Sequence, residues 1–281
     1  MVKLRQLYTE SCKRLQSEVG ETAQFECFEL IKAVFGMSRT DCFLHFDDDI
    51  DEEKFSKFDE MLTRRLNHEP LQYILGEWEF FGLPFKVGEG VLVPRGDTEI
   101  IAETAINLIN QHSYKSMADL CSGSGALAIS IGKNTFLEKI DAVELSEKAF
   151  SYLYKNINLN NMENKITAYN EDIFTFLNKE KYDIVVSNPP YIPTGDIAEL
   201  SEEVHKEPFM ALDGGTDGLY FYRRISQEYY DKINSGGALV FEIGIDELSD
   251  VMEIMKKCGY FDVSYINDYS GIPRCVYGIR K

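Results

Sequence analysis

The sequence lacks the residue patterns that hold metals or form disulfide frameworks. Its six cysteines and four histidines are scattered along 281 residues, with no close cysteine pair and no spacing typical of metal ligands. A disulfide-stabilised fold needs many cysteines in a short chain, and a zinc site needs ligands a few residues apart. We therefore expect free thiols, ordinary imidazoles and no bound metal.

Clustered positive charge is also scarce. The chain has 29 Lys and Arg against 47 Asp and Glu, a formal net charge of −18, and its basic residues form nothing longer than doublets such as those at 64–65, 223–224 and 256–257. Proteins that grip nucleic acid neutralise phosphates with clusters of Lys and Arg. The charge therefore favours a small-molecule or protein substrate, and we expect no stable binding of nucleic acid.

Long apolar runs are missing as well. No run approaches the roughly 20 residues that span a bilayer, and residues 1–7 have two basic residues without the apolar core of a signal peptide. We therefore expect no membrane attachment and a cytoplasmic location. The composition, 44% hydrophobic and 27% charged, is typical of a globular protein with one large or two smaller domains.

The first 75 residues have the apolar spacing of helices. Apolar residues recur at helical intervals near 4–15, 25–35 and 55–66. We expect Thr40-Asp41 to cap a short turn and Pro70 to end the helical region. The pattern predicts an N-terminal helical domain over 1–75 that binds a partner or acts as a lid and carries no catalytic residue.

An aromatic segment with turn residues follows at 76–93. Gly82 and Pro84 interrupt its apolar residues, which favours a β-hairpin that links two domains. The second domain then spans residues 94–281.

From about residue 116, predicted strands and helices alternate, which is typical of an α/β fold with a mostly parallel sheet. The predicted strands lie near 117–121, 139–144, 165–169, 182–187, 238–243, 261–267 and 274–279. The predicted helices lie near 125–133, 146–158, 172–178, 219–233 and 246–258. Residues 268–273 leave no room for a crossover helix, so the last two strands should pair as an antiparallel hairpin.

A glycine-containing loop joins the first of these strands to the first helix. Gly123 and Gly125 allow close approach of the backbone to a ligand, and the following helix N-terminus presents unpaired N–H groups. Glu144 ends the next strand, where a carboxylate reaches ribose hydroxyls. Asp172, after the third strand, is placed to accept from an adenine amine, with Ile173 packing on the ring.

These residues alone leave the cofactor open. The spacing Gly123-x-Gly125-x-x-Ala128 also satisfies the loose dinucleotide fingerprint, so an NAD-dependent oxidoreductase remains an alternative. A tight turn that binds no ligand remains another.

Two consecutive prolines end the predicted strand at 182–187. Pro189 and Pro190 have no N–H for a sheet, so their carbonyl groups can face a ligand at the strand's carboxyl end. Together with the Asn188 side-chain oxygen, they can accept hydrogen bonds from a planar NH2 group, on which Tyr191 can pack. Such acceptors strengthen as positive charge develops on the nitrogen. The segment therefore predicts methyl transfer to an amide or aromatic amine. A hydride-transfer enzyme would have no use for such acceptors, which argues against the oxidoreductase alternative.

The chain resembles the release factor glutamine methyltransferase family (HemK/PrmC) from end to end. The motifs that carry the resemblance are residues 71–77 (Leu-Gln-Tyr-Ile-Leu-Gly-Glu), Pro94-Arg95-x-x-Thr98-Glu99, residues 119–125, Asn-Pro-Pro-Tyr at 188–191, residues 207–218, Phe-Glu-Ile-Gly at 241–244, and Asp268-x-x-Gly271-x-x-Arg274. The resemblance implies a seven-stranded Rossmann-like methyltransferase sheet behind the helical domain. It also implies S-adenosylmethionine as methyl donor, S-adenosylhomocysteine as product, and the glutamine of the Gly-Gly-Gln motif in class 1 peptide release factors as substrate.

The resemblance also implies the site residues. The catalytic set is Asn188, Pro189, Pro190 and Tyr191. The cofactor-binding set is Asp119, Cys121, Ser122, Gly123, Ser124, Gly125, Glu144, Asp172, Ile173 and Asn188. Three departures from the family pattern concern fine geometry: Gly96 replaces a proline, Cys121 stands where many methyltransferases have glycine, and Glu144 replaces an aspartate.

Other substrates stay open. A glutamine of a ribosomal protein would use the same chemistry, and the helical domain is the reason to prefer release factors. An adenine amine of nucleic acid is disfavoured by the charge. A catalytically silent binding protein is the remaining alternative.

Overall fold

The computed structural model describes residues 2–176 and 180–281. These divide into two compact units, one of residues 1–76 with 201–206, the other of residues 77–200 with 207–281. Neither contains, within the part of the chain described, a helix with the length and apolar character needed to cross a membrane.

The first unit is helical. Its helices are α1 (Leu4–Val19), α2 (Ala23–Phe35), α3 (Arg39–Leu44), α4 (Glu52–Leu66) and α5 (Leu71–Leu75). The predicted apolar stripes form its interior, where Leu15, Leu30 and Phe58 are fully buried. Burial of these stripes, rather than intrinsic propensity, holds such short helices together.

Two local predictions in this unit are wrong. Ser38, rather than Thr40-Asp41, caps α3, because its hydroxyl accepts from Asp41 N while the Asp41 carboxylate accepts from Ser38 N. Pro70 does not end the helical region but precedes α5, since the first turn of a helix does not need the missing N–H. The helix then ends at Gly76, whose φ of +74° is left-handed.

A buried ion pair lies inside the first unit. Arg65 on α4 donates to both carboxylate oxygens of Glu26 on α2, at 2.5 and 3.2 Å, and to Glu203 at 2.7 Å. Arg65 and Glu26 are both nearly inaccessible to solvent. Because an uncompensated buried charge is costly, each partner depends on the other.

The second unit contains a β-hairpin, as predicted, and a seven-stranded sheet. The hairpin pairs β1 (Glu77–Phe80) with β2 (Leu83–Lys86). The sheet contains β3 (Ser116–Leu120), β4 (Lys139–Val143), β5 (Ile166–Tyr169), β6 (Tyr182–Ser187), β7 (Ile233–Glu242), β8 (Phe261–Asn267) and β9 (Pro273–Ile279). Their order is β5-β4-β3-β6-β7-β9-β8, and only the pairings of β9 are antiparallel. The predicted α/β class, strand count and terminal antiparallel pair are confirmed.

Helices cover the two faces of this sheet. They are α6 (Glu99–His112), α7 (Ala126–Lys133), α8 (Glu147–Leu159), α9 (Tyr220–Glu228) and α10 (Leu248–Lys257). Successive strand residues point to opposite faces, so Met117 belongs to the core with α6, α7 and α8, and Ala118 to the core with α9 and α10. Parallel strands buried on both faces explain the continuous apolar runs in the sequence.

Two segments of this unit differ from prediction. Residues 173–175 form a turn instead of the helix expected at 172–178, because the Asp172 carboxylate accepts from Phe174 N at 2.8 Å. The last two positions of that expected helix lie outside the described residues. Helix α9 is shorter than expected, and β7 begins at Ile233, five residues earlier than the predicted start at 238.

The buried ion pair gives a prediction for stability. Replacing Glu26 by Gln leaves the Arg65 charge buried with Glu203 alone, so the free energy of unfolding should fall by roughly 3 kcal/mol. Urea denaturation followed by circular dichroism measures this change. The matched control is Asp59→Asn, which removes the half-exposed Arg14 partner and should cost less than about 1 kcal/mol. Equal losses in both variants would contradict the assignment.

Candidate functional site

A cavity of about 300 Å³ opens at the carboxyl ends of β3, β4 and β6. The strand order reverses between β3 and β6, and a crevice at such a reversal is where open α/β sheets bind ligands. Ten residues predicted from sequence line it: Asp119, Cys121, Ser122, Gly123, Ser124, Glu144, Asp172, Ile173, Asn188 and Pro190. Gly125, Pro189 and Tyr191 are not among the lining residues.

The loop after β3 is held in a left-handed backbone conformation. Gly123 and Gly125 have φ of +54° and +83°, and Cys121 has φ of +60°. Glycine adopts this region without cost, whereas a side chain there is strained. A glycine at position 121, as in many methyltransferases, would therefore fit this backbone more easily than the cysteine does.

The buried Asp119 side chain is hydrogen-bonded to the start of the helix that follows the loop. Its Oδ2 accepts from Ala128 N at 3.1 Å, whereas its Oδ1 has no hydrogen-bond partner among the described residues. Burial raises the pKa of Asp119 to about 7, with hydrogen bonds from Ala128 and Ser122 opposing the shift and the Glu144 charge adding to it. A buried acceptor without a partner suits a ligand that brings a donor or a positive charge.

Glu144 crosses from β4 to the same loop. Its two carboxylate oxygens accept from Gly123 N at 2.8 Å and from Ser146 N at 2.7 Å. Burial raises its pKa, and the backbone N–H groups of Ser146, Gly123 and Leu145 partly oppose this. The glutamate's extra methylene is accommodated, since the carboxylate still reaches the loop and retains lone pairs for a ligand.

Apolar side chains lie beside a carboxylate in part of the cavity lining. Asp172 and Ile173 line the cavity together with Leu145, which sequence reasoning missed although it directly follows Glu144. The side chain of Leu145 is half exposed. Apolar groups beside a carboxylate acceptor suit a flat heteroaromatic ring with an amino group.

An arginine packed on aromatic rings also lines the cavity and was missed. The Arg224 guanidinium carbon lies 3.6 Å from the centroid of the Phe174 ring, and the same group donates to Tyr220 at 2.8 Å. Phe174 and Phe221 stack at 5.9 Å between centroids. The spacing of Tyr220 and Arg224 on one helix was the available signal, but the sequence does not show that Phe174 meets them.

The segment after β6 divides two cavities. Asn188 and Pro190 face the first cavity, whereas Tyr191 lines a second cavity of about 390 Å³. Burial raises the pKa of Tyr191 far above its usual range. A Cβ at Gly214 would lie 2.7 Å from the Tyr191 backbone. The lack of a side chain at Gly214 therefore allows the backbone at position 214 to pack closely against the Tyr191 backbone.

A buried carboxylate fixes one wall of the first cavity. Glu207 accepts from Val93 N at 3.0 Å and pairs with Arg95. It thereby joins the 93–95 segment to Pro208 and Met210, and both segments line the cavity.

Glu242 ends β7 beside Asn188. The register pairs Ser187 of β6 with Phe241 of β7. The residues that follow them, Asn188 and Glu242, therefore lie side by side. Burial raises the pKa of Glu242 to about 7, while neighbouring Thr98, the Arg274 charge and Asn188 oppose this shift. The sequence signal was a carboxylate that directly follows a buried apolar strand.

Known proteins resemble this chain over most of its length. The family model of the PrmC N-terminal domain matches residues 6–76, and that of the methyltransferase small domain matches residues 97–211. The release factor glutamine methyltransferase of Clostridium botulinum is 39% identical over 230 residues, which are 81% of each chain. That of Geobacter sulfurreducens is 36% identical over 259 residues, or 92% of this chain and 90% of the relative.

A solved structure shares the fold. The hMettl16 catalytic domain, in complex with a 3'UTR hairpin, superposes with a TM-score of 0.60 at 17% identity, covering 82% of this chain and 83% of that one. The likeness concerns the methyltransferase fold alone.

The loop conformation gives a prediction. Gly125→Ala introduces a Cβ at φ +83° that would lie 2.6 Å from the buried Leu153 side chain. The combined strain and crowding should lower the free energy of unfolding by roughly 1–3 kcal/mol, measured by urea denaturation. The control is Gly195→Ala, where a Cβ meets nothing within 4 Å. Unchanged stability of the Gly125 variant would show that the loop relaxes freely.

Proposed function

The chain belongs to the release factor glutamine methyltransferase family, and on that premise we propose its substrate and site. It transfers a methyl group from S-adenosylmethionine to the side-chain amide nitrogen of the glutamine in the Gly-Gly-Gln motif of class 1 peptide release factors. The observation that carries the proposal is that the glycine loop after β3 and Asn188 after β6 line one cavity.

The donor atoms of the cavity fit S-adenosylmethionine. The unpartnered Asp119 Oδ1 suits a positively charged ligand, and Gly123 leaves open space where a side chain would project. We assign Glu144 to the ribose hydroxyls, and Asp172 with Ile173 to the adenine. The remaining cofactor contacts are those of the loop residues that line the cavity, Cys121, Ser122 and Ser124, whereas Gly125 shapes the loop through its left-handed backbone.

When bound, S-adenosylmethionine supplies an electrophilic methyl group on a sulfonium. The nitrogen of a glutamine amide is a poor nucleophile because its lone pair is delocalised, so the chain must hold it in line with that methyl group. Asn188 Oδ1 and the carbonyl oxygen of Pro189 or Pro190 accept the two amide N–H groups. These hydrogen bonds strengthen as the nitrogen becomes positive, which lowers the barrier without a strong base.

We propose a role for Tyr191 that differs from that of Asn188 and the two prolines. Its side chain lines the second cavity, and burial keeps its hydroxyl neutral. We propose that it contacts the substrate polypeptide from that side, whereas Asn188 and the prolines hold the glutamine amide itself.

Two observations support a protein as the substrate. The first is the match of residues 6–76 to the PrmC N-terminal domain. The second is that Phe209 and Met210, next to the cavity wall, are both more than half exposed, as suits a surface that receives a polypeptide. We propose that residues 1–75 recognise the release factor in a transient complex. Because release factors act at ribosomes, we also propose a cytoplasmic location.

The substrate is tested with labelled S-adenosylmethionine. Incubation with a class 1 release factor should label the factor, whereas a factor whose motif glutamine is replaced by alanine should stay unlabelled. Ribosomal proteins and DNA are included in parallel. Label on either of those, or none on the release factor, would overturn the proposed substrate.

The role of Asn188 is tested separately. Asn188→Ala removes one acceptor for the substrate amide, so kcat should fall roughly 100- to 1,000-fold, while the Kd for S-adenosylmethionine stays nearly constant. Steady-state kinetics and calorimetry measure the two effects. Asn158→Ala, a change on the exposed surface of α8, is the matched control. Loss of cofactor binding by the Asn188 variant would show that the two halves of the site are not separable.

A further inference from the structure

A side-chain amide such as that of Asn188 fits its site in two orientations. Its oxygen accepts hydrogen bonds and its NH2 only donates them, yet the two ends have nearly the same shape. Only the orientation that turns Oδ1 toward the cavity can accept a hydrogen bond from a substrate amide. Steric packing does not select it, so a hydrogen-bond partner behind Asn188 must.

Glu242 is that partner by position and chemistry. It lies at the end of β7, one residue beyond the Ser187–Phe241 pair, which places it beside Asn188 at the end of β6, and Asn188 is among the groups that lower the pKa of its carboxylate. An ionised carboxylate can only accept, so it must face the NH2 of Asn188. The Asn188 oxygen is then left for the cavity, which Asn188 lines.

The surroundings of Glu242 argue against a merely structural carboxylate. The residue is 3% exposed, and its Oε2 has no hydrogen-bond partner among the described residues. Arg274, whose charge lowers the pKa of Glu242, forms its ion pairs with Asp97 at 3.5 Å and Asp268 at 3.3 Å. A buried carboxylate oxygen without a hydrogen-bond partner reduces stability. A residue with that cost is more easily explained by its effect on a neighbouring side chain than by a contribution to the fold.

We propose that Glu242 orients the side-chain amide of Asn188, accepting a hydrogen bond from Nδ2–H so that Oδ1 faces the nitrogen to be methylated. Glu242 touches neither substrate nor cofactor and is a positioning residue. The inference rests on the proposed role of Asn188.

The same contact makes the orientation depend on ionisation. A protonated Glu242 gains an O–H donor, which can turn toward Asn188 Oδ1 and hold the amide in the opposite orientation. The productive form therefore needs the carboxylate, so kcat should rise with pH as Glu242 loses its proton. The titratable and charged groups that face Glu242 are Asp97, Tyr191, Tyr222, Arg274 and Cys275.

The experiment compares methylation kinetics of four proteins: the full chain, Glu242→Gln, Asn188→Ala and the double variant. Glu242→Gln should lower kcat roughly 10- to 100-fold and leave the KM for S-adenosylmethionine within about threefold, because the cofactor contacts are unchanged. The double variant should be no slower than Asn188→Ala alone, since Glu242 acts only through Asn188. Multiplying losses, or a Glu242→Gln variant with full kcat, would overturn the proposal.

The pH profile of kcat separates orientation from a structural effect. In the unaltered chain it should rise through about pH 7, and this inflection should be absent from Glu242→Gln. Glu247→Gln is the matched control, because burial raises the pKa of Glu247 to about 7 as well, so its variant should keep the inflection. If both variants keep it, Glu242 does not set the orientation.

A second variant covers the case in which Glu242→Gln does not fold. The Arg274 charge favours ionised Glu242, so Arg274→Gln should move the inflection to higher pH. An unmoved inflection contradicts the proposal. Failure of the proposed function itself would look different, because the unaltered chain would then not label the release factor at any pH.

Discussion

The site depends on the reversal of strand order between β3 and β6. Strands β4 and β5 lie on one side of β3, and β6 and β7 lie on the other. The loops that leave the carboxyl ends of β3 and β6 therefore diverge and leave a crevice between them. The glycine loop lies on one edge of this crevice and Asn188 on the other, so the residues proposed to hold the cofactor and the substrate line the same cavity.

Buried carboxylates give this crevice its electrostatic character. Asp119 lies near the end of β3, Glu144 directly follows β4 and Glu242 ends β7, and burial raises the pKa of each. Backbone N–H groups oppose the shift for Asp119 and Glu144, whereas the Arg274 charge opposes it for Glu242. A ligand that carries a sulfonium and an ammonium would favour the ionised forms, which suits the proposed cofactor.

The sequence predicted what depends on short-range pattern. Apolar runs located all seven strands, and the turn residues after them located Gly123, Glu144, Asp172 and Asn188 at one edge of the sheet. What it missed depends on contacts between distant segments. Arg224 meets Phe174 across 50 positions of sequence, and Glu242 meets Asn188 only because β7 pairs with β6. Residues 173–175 form a turn rather than the start of the expected helix for a local reason, because the Asp172 carboxylate accepts a hydrogen bond from Phe174 N.

Asn156 on α8 has a consequence for how the second unit holds together. Its side chain accepts from Lys86 N at 2.6 Å and donates to Lys86 O and Ser124 O at 3.0 and 2.9 Å. One buried amide thus satisfies the edge of the β-hairpin and the glycine loop at once. Detaching the hairpin from α8 would leave the buried Asn156 oxygen without its donor, which links the stability of the hairpin to that of the side chain that holds the loop. Through Asn156, the β-hairpin therefore helps to hold the glycine loop in place.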